Sequence, residues 1–165
     1  MSALSDILRS YRAPRQVVRD HLSHAPSEPR ALTFLLSALV LVYIAQWPGL
    51  SRFAFENPAT PLPALMLGQA LGLLVAVPLF YLVALIARGV AKLLGGKGSG
   101  YGARIALFWA LLAASPLLLL RGLVSGFIGV GHQANMVGVA TFLVFVIFWI
   151  SGMRVAFFET TAKRG

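Results

Sequence analysis

The sequence predicts an all-α, polytopic membrane protein, with four transmembrane helices preceded by a basic amphipathic helix at the membrane interface. Three observations predict it. The interval from Asn57 to Ala87 contains no Asp, Glu, Lys or Arg, and its centre reads LPALMLGQALGLLVAVPLFYLVALIA. About 20 apolar residues cross a bilayer core at about 1.5 Å of helix rise each, so this stretch spans with room for tilt. Secondly, 58% of the chain is hydrophobic and only 12% is charged, whereas soluble domains carry about 25% charged residues. Thirdly, the cations fall in alternating blocks separated by apolar intervals.

Taken in order, residues 1–30 form a polar, basic arm. Leu4, Ile7, Leu8 and Tyr11 fall at helical spacing. Val17, Val18 and Leu22 do so again after Pro14, which suits the first turn of a second helix. Arg9, Arg12, Arg15 and Arg19 lie among them, as expected of a short basic helix on a membrane surface. A loosely ordered arm fits the same residues. Pro26 and Pro29 are expected to end any helix before the first span.

The membrane domain is expected over 31–158, with spans at about 31–50, 62–87, 103–120 and 136–157, followed by a tail at 159–165. In the first span Tyr43 and Trp47 sit toward the far end, as interfacial aromatics do. In the second, Pro78 is expected to kink the helix or free a carbonyl. Gly68 and Gly72 form a small-xxx-small pair suited to close helix contact, and Gln69 is expected to bond across helices. The glycine-rich turn at 88–104 is expected to be exposed. In the third span Arg104 and Arg121 snorkel to the two interfaces and Pro116 bends the far end. The stretch GLVSGFIGVGHQAN is expected as a connection with a half-buried helical turn near Gly122 and Gly126. There is no internal repeat of the kind that builds many transporters.

The charges set an orientation. The arm carries five Lys/Arg, the 88–104 turn four and the stretch from Arg154 three, while the opposite connections carry one each, Arg52 and Arg121. The positive-inside rule then puts both termini and the central turn in the cytoplasm. The cytoplasmic rim consists of Arg9, Arg12, Arg15, Arg19, Arg30, Arg88, Lys92, Lys97 and Arg104, each worth about 1 kcal/mol near anionic lipid. The formal charge of +9 is therefore read as topology and lipid contact, with no nucleic-acid partner.

Chemistry-bearing motifs are sparse. The absence of cysteine removes disulfides, thiol nucleophiles and Cys-based metal sites. Gly98, Gly100 and Ala103 match G-x-G-x-x-A, but that pattern needs a strand–turn–helix setting. The Gly95–Gly98 stretch lacks the first glycine and the Ser/Thr of a phosphate loop. His21 and His24 share a helix face beside Asp20, one ligand short of a metal site, and read as solvated interfacial histidines. The five acids, Asp6, Asp20, Glu28, Glu56 and Glu159, all lie outside the spans. Proton relays and ion-coupled carriers place ionisable groups within them. No cofactor and no catalyst are expected, and no cleavable signal peptide is evident.

Three stretches carry a family resemblance: APRQVVRDHLSHAPSEPRAL leading into a span, LLGGKGSGYGARIALFWALLAASPLLLL with its in-span proline, and the closing FVIFWISGMRVAF. Together they resemble the Yip (Ypt/Rab-interacting protein) family, in its bacterial branch. The resemblance implies a helical multi-pass protein with a cytoplasmic N-terminal arm. Eukaryotic relatives are linked to vesicle traffic and prenylated small GTPases and typically have five spans, against four and a shorter arm here. The Arg-rich, Ala/Leu/Gly-rich usage points to a bacterial inner membrane. The expected function is non-enzymatic, organising or assisting membrane components through helix and lipid contacts, with a homo-oligomer or another membrane protein as partner. The alternative is a small oligomeric transporter or channel, with Pro78 and Pro116 freeing carbonyls for a solute.

Overall fold

The computed structural model describes residues 3–129 and 131–159. Among them every regular element is helical: α1 Ala3–Ser10, α2 Pro14–Ser23, α3 Glu28–Glu56, α4 Leu62–Leu93, α5 Gly100–Ala113, α6 Ser115–Phe127, α7 His132–Arg154, and a closing π-helical turn Val155–Glu159. Four stretches are long and apolar enough to cross a membrane: α3, α4, the α5–α6 pair, and α7 with its π turn.

The boundaries differ from expectation where proline or glycine was read as a stop. Pro29 opens α3 instead of ending what precedes it, because the first turn has no use for the missing N–H. The helix then runs through Pro48 to Glu56. Helix α4 continues through Pro78 to Leu93. The third stretch is two helices broken at Ala114, with Pro116 in the first turn of α6. Helix α6 runs on through Gly122 and Gly126 to Phe127, where a connection with a single helical turn was expected.

The α5–α6 column is the hub. Some 61% of its most apolar window is buried, against 6% for α4. Helix α5 packs against α3, α4 and α7, while α6 sits between α3 and α7. Ile105, Leu107, Phe108 and Trp109 of α5 are almost wholly buried. Helix α4 lies at the edge, with Leu67, Leu71, Leu74 and Val75 turned outward. An apolar exterior on that scale suits contact with lipid or another helix and not with water.

The ends of the bundle are distinct. Arg104 pairs with Glu28, the Lys97 N–H donates to the Phe157 carbonyl, and Arg19 pairs with Glu159. These contacts gather the starts of α3 and α5, the 94–99 turn, the chain's closing turn and the N-terminal helices at one end, called here the terminal end. The α3–α4 and α6–α7 connections lie at the other.

Candidate functional site

The terminal end is built around a helical hairpin, α1–α2, seated against α5 and α7. Its apolar stripe is divided. Ile7, Val17 and Val18 are buried against Trp109, Ala110, Ala113, Phe148 and Val155, while Leu4 and Leu8 remain 74% and 71% exposed. The arm is therefore docked on protein along one face. At its tip the Trp109 indole N–H donates to Ser10 Oγ at 3.0 Å, and the Ser10 hydroxyl donates to the Asp6 carbonyl at 2.8 Å. The Tyr11 hydroxyl donates to the Ala113 carbonyl at 3.1 Å, and its ring meets Phe148 edge-on. This last bond is made at the helix break: the Leu117 N–H turns to the Ala114 carbonyl, and Tyr11 takes the Ala113 carbonyl. The proline-associated break thus gives the hairpin a carbonyl to dock on.

His21 closes the other side of Trp109. Its ring lies 4.3 Å from the indole and 5.0 Å from Phe34. Burial pushes its pKa down, with Arg30 and His24 acting the same way and Asp6 and Asp20 opposing. His21 Nε2, Asp6 Oδ1 and Arg30 Nη1 are buried atoms without hydrogen-bond partners among the described residues. Asp6 Oδ1 has a long 3.7 Å ion pair with Arg9. His24 bonds the Asp20 carbonyl at 2.8 Å instead. The two histidines therefore diverge, and the reading of both as solvated holds for His24 alone.

The basic rim is partly neutralised within the protein. Arg9 bridges Asp6 and Asp20, Arg15 and Arg19 meet Glu159 at 3.8 and 2.5 Å, and Arg104 pairs with Glu28. All four acids of this end are therefore engaged. Arg12, Arg30, Arg88, Lys92 and Lys97 have no ion pair among the described residues. Arg12, Lys92 and Lys97 are exposed, while Arg30 and Arg88 are half-buried. Arg88 reaches over Gly100, at 3.0 Å from where a Cβ would stand.

The glycine-rich turn is a fitted joint. Gly95 takes φ +84°, which glycine adopts without a Cβ penalty. A Cβ on Gly98 would stand 2.4 Å from the Ala156 carbonyl oxygen and 2.7 Å from the Phe157 ring. Ser99 caps α5 by accepting from the Gly102 N–H at 3.1 Å. The glycines let the closing turn bury Phe157 to 2% exposure. The G-x-G-x-x-A match is explained by this packing.

The residues singled out for helix contact are redistributed. Gly68 and Gly72 have nothing within 4 Å of a built Cβ, so within this chain they pack against no helix. Pro78 is exposed and Gln69 half-buried on the same helix. The close contact is made by α6 on α3: a Cβ on Gly122 would fall 1.7 Å from the Ala45 carbonyl oxygen, and one on Gly126 2.3 Å from Pro48 Cβ. A Cβ on Gly49 would in turn stand 3.0 Å from Ser125 Oγ. The signal was available, since Gly122 and Gly126 share the small-xxx-small spacing with Ala45 and Gly49. Arg52, unremarked except for its charge, bonds Glu56 at 2.8 Å and the Phe127 carbonyl at 3.2 Å. It thereby places a cation at the negative end of α6. Comparison with family models, curated proteins and solved structures finds no match to this chain.

Proposed function

We propose that this is a four-span protein of a bacterial inner membrane, with its termini and the 94–99 turn in the cytoplasm. In this reading it organises or assists other membrane components without catalysing a reaction. The observation that carries it is the gathering of cations. All the Lys and Arg except Arg52 and Arg121 belong to the arm, the 88–104 stretch or the closing segment, the pattern of a cytoplasmic face.

Two further features support the reading. Exposed Arg12, Lys92 and Lys97 are available to anionic headgroups, at about 1 kcal/mol each. Helix α4 presents Gly68 and Gly72 outward among leucines, a surface on which a second transmembrane helix packs closely. The test is extraction into detergent-free nanodiscs with mass spectrometry of what is retained, alongside flux assays on proteoliposomes of the pure protein. A stoichiometric membrane-protein partner and no flux are expected. Solute movement or substrate turnover by the pure protein would overturn the reading.

A further inference from the structure

An open groove of about 680 Å3 runs along the bundle between the α5–α6 column and α7, from Arg121 and Asn135 at one end to Leu111 and Phe145 at the other. That volume lies within the roughly 300–1,000 Å3 of small-ligand clefts. Leu118, Val139 and Phe142 make its walls apolar. From Asn135 to Phe145 the helix axis advances about 15 Å at about 1.5 Å per residue, half of a hydrocarbon core of about 30 Å. The groove is therefore one leaflet deep and opens sideways.

Its mouth is cationic and unsatisfied. Arg121 lies across α7 where Gly138 has no side chain, with Nε 2.9 Å and Cδ 3.4 Å from the site of a Cβ. Among the described residues Arg121 has neither an ion pair nor a side-chain hydrogen bond. The other cation of this end, Arg52, is engaged by Glu56 and the α6 carbonyls. Asn135 stands one turn before Gly138 and lines the same mouth. Helix α7 starts after its N-cap Gly131 with no side-chain cap, and Asn135 stands about one turn into it. A guanidinium held over an apolar trough, with donors beside it and no protein carboxylate, is complementary to a phosphate carrying a hydrocarbon chain.

We propose that this groove binds one phospholipid from the leaflet opposite the terminal end, its phosphate on Arg121 and one acyl chain between α6 and α7. The site rests on the four-span reading. Guanidinium and phosphate meet at the headgroup level while Leu118, Val139, Phe142 and Phe145 sheathe the chain. The lipid fills a slot the helices leave open, so it braces α6 against α7.

The experiment is native mass spectrometry of the delipidated full chain titrated with phosphatidylglycerol, with diacylglycerol of the same chains and with inorganic phosphate alone. Wild type is expected to retain one phosphatidylglycerol and to bind diacylglycerol and phosphate far more weakly. Arg121→Gln should weaken retention about five-fold, the equivalent of about 1 kcal/mol for one cation at a lipid headgroup, and Arg121→Lys should restore most of it. Val139→Trp, at an outward position 60% exposed, should block the chain without disturbing the core. Equal retention by wild type and Arg121→Gln, or by wild type and Val139→Trp, would overturn the site. So would a lipid-free dimer that Val139→Trp dissociates, because a second copy would then fill the groove. Alkaline extraction separates the two failures: release from membranes overturns the four-span reading, whereas retention without lipid selectivity overturns only the site.

Discussion

Trp109 is the residue on which the terminal end turns. Its N–H is spent on Ser10 and one ring face on His21, so two changes there have calculable consequences. Ser10→Ala strands a buried N–H, which should cost about 1–3 kcal/mol. Reversible unfolding in mixed micelles should show that cost, and it should shrink in a Trp109→Phe background. His21 gives a pH dependence. Its folded pKa lies below the ordinary 6.5 because burial disfavours the imidazolium, so the undocked arm takes up a proton that the docked arm resists. Docking is then fully stable above about pH 6.5 and weakens as pH falls toward the folded value. The groups facing His21 are Asp6 from α1, Asp20 from α2, His24 just after it, and Arg30 from α3. Protection factors across residues 3–23, corrected for the intrinsic pH dependence of exchange, should be lower at about pH 5.5 than at about pH 7.5, and His21→Phe should remove that difference. None of this was legible in the sequence. Ser10 and Trp109 are 99 positions apart, and a histidine within a basic arm carries no sign that it faces an indole.

The elements were more readable than their ends. Four uncharged intervals gave four spans because desolvating a charge in hydrocarbon is costly enough to leave a clear mark in the sequence. The misreadings came from residues with two uses. Glycine at 122 and 126 reads as a connection, yet α6 uses both to bring its backbone onto α3. Gly68 and Gly72 have the same spacing and face outward. Spacing identifies a surface fit for close approach, but only the tertiary arrangement decides which such surface is used. The two pairs should therefore respond differently. Gly122→Ala and Gly126→Ala push α6 off α3 and should cost about 1–3 kcal/mol, as overpacking does. Gly68→Ala and Gly72→Ala should stay within about 0.5 kcal/mol in the isolated protein. Chemical unfolding in one lipid mixture checks all four. A loss at Gly68 seen only in native membranes would point to a partner helix on α4.

At the scale of the whole molecule the prediction concerns sidedness. The absence of cysteine makes single-cysteine labelling clean. With the terminal end cytoplasmic, Ala59→Cys and Gln133→Cys should react with an impermeant maleimide in intact cells, while Lys97→Cys and Arg12→Cys should react only after permeabilisation. The reverse pattern would refute the orientation. One contact then carries a consequence of another kind. The ion pair between Arg19 and Glu159 joins residues 140 positions apart, and Ile7, Val17 and Val18 rest partly on Phe148 and Val155. The arm precedes its seat in the sequence, and α7 completes that seat. Until α7 is made its apolar face can meet only the α5 part of that seat, so the hairpin completes its docking once α7 is in place. Its docking thus follows the insertion of α7. A protease that cuts within 3–23 would distinguish chains still being assembled from finished ones.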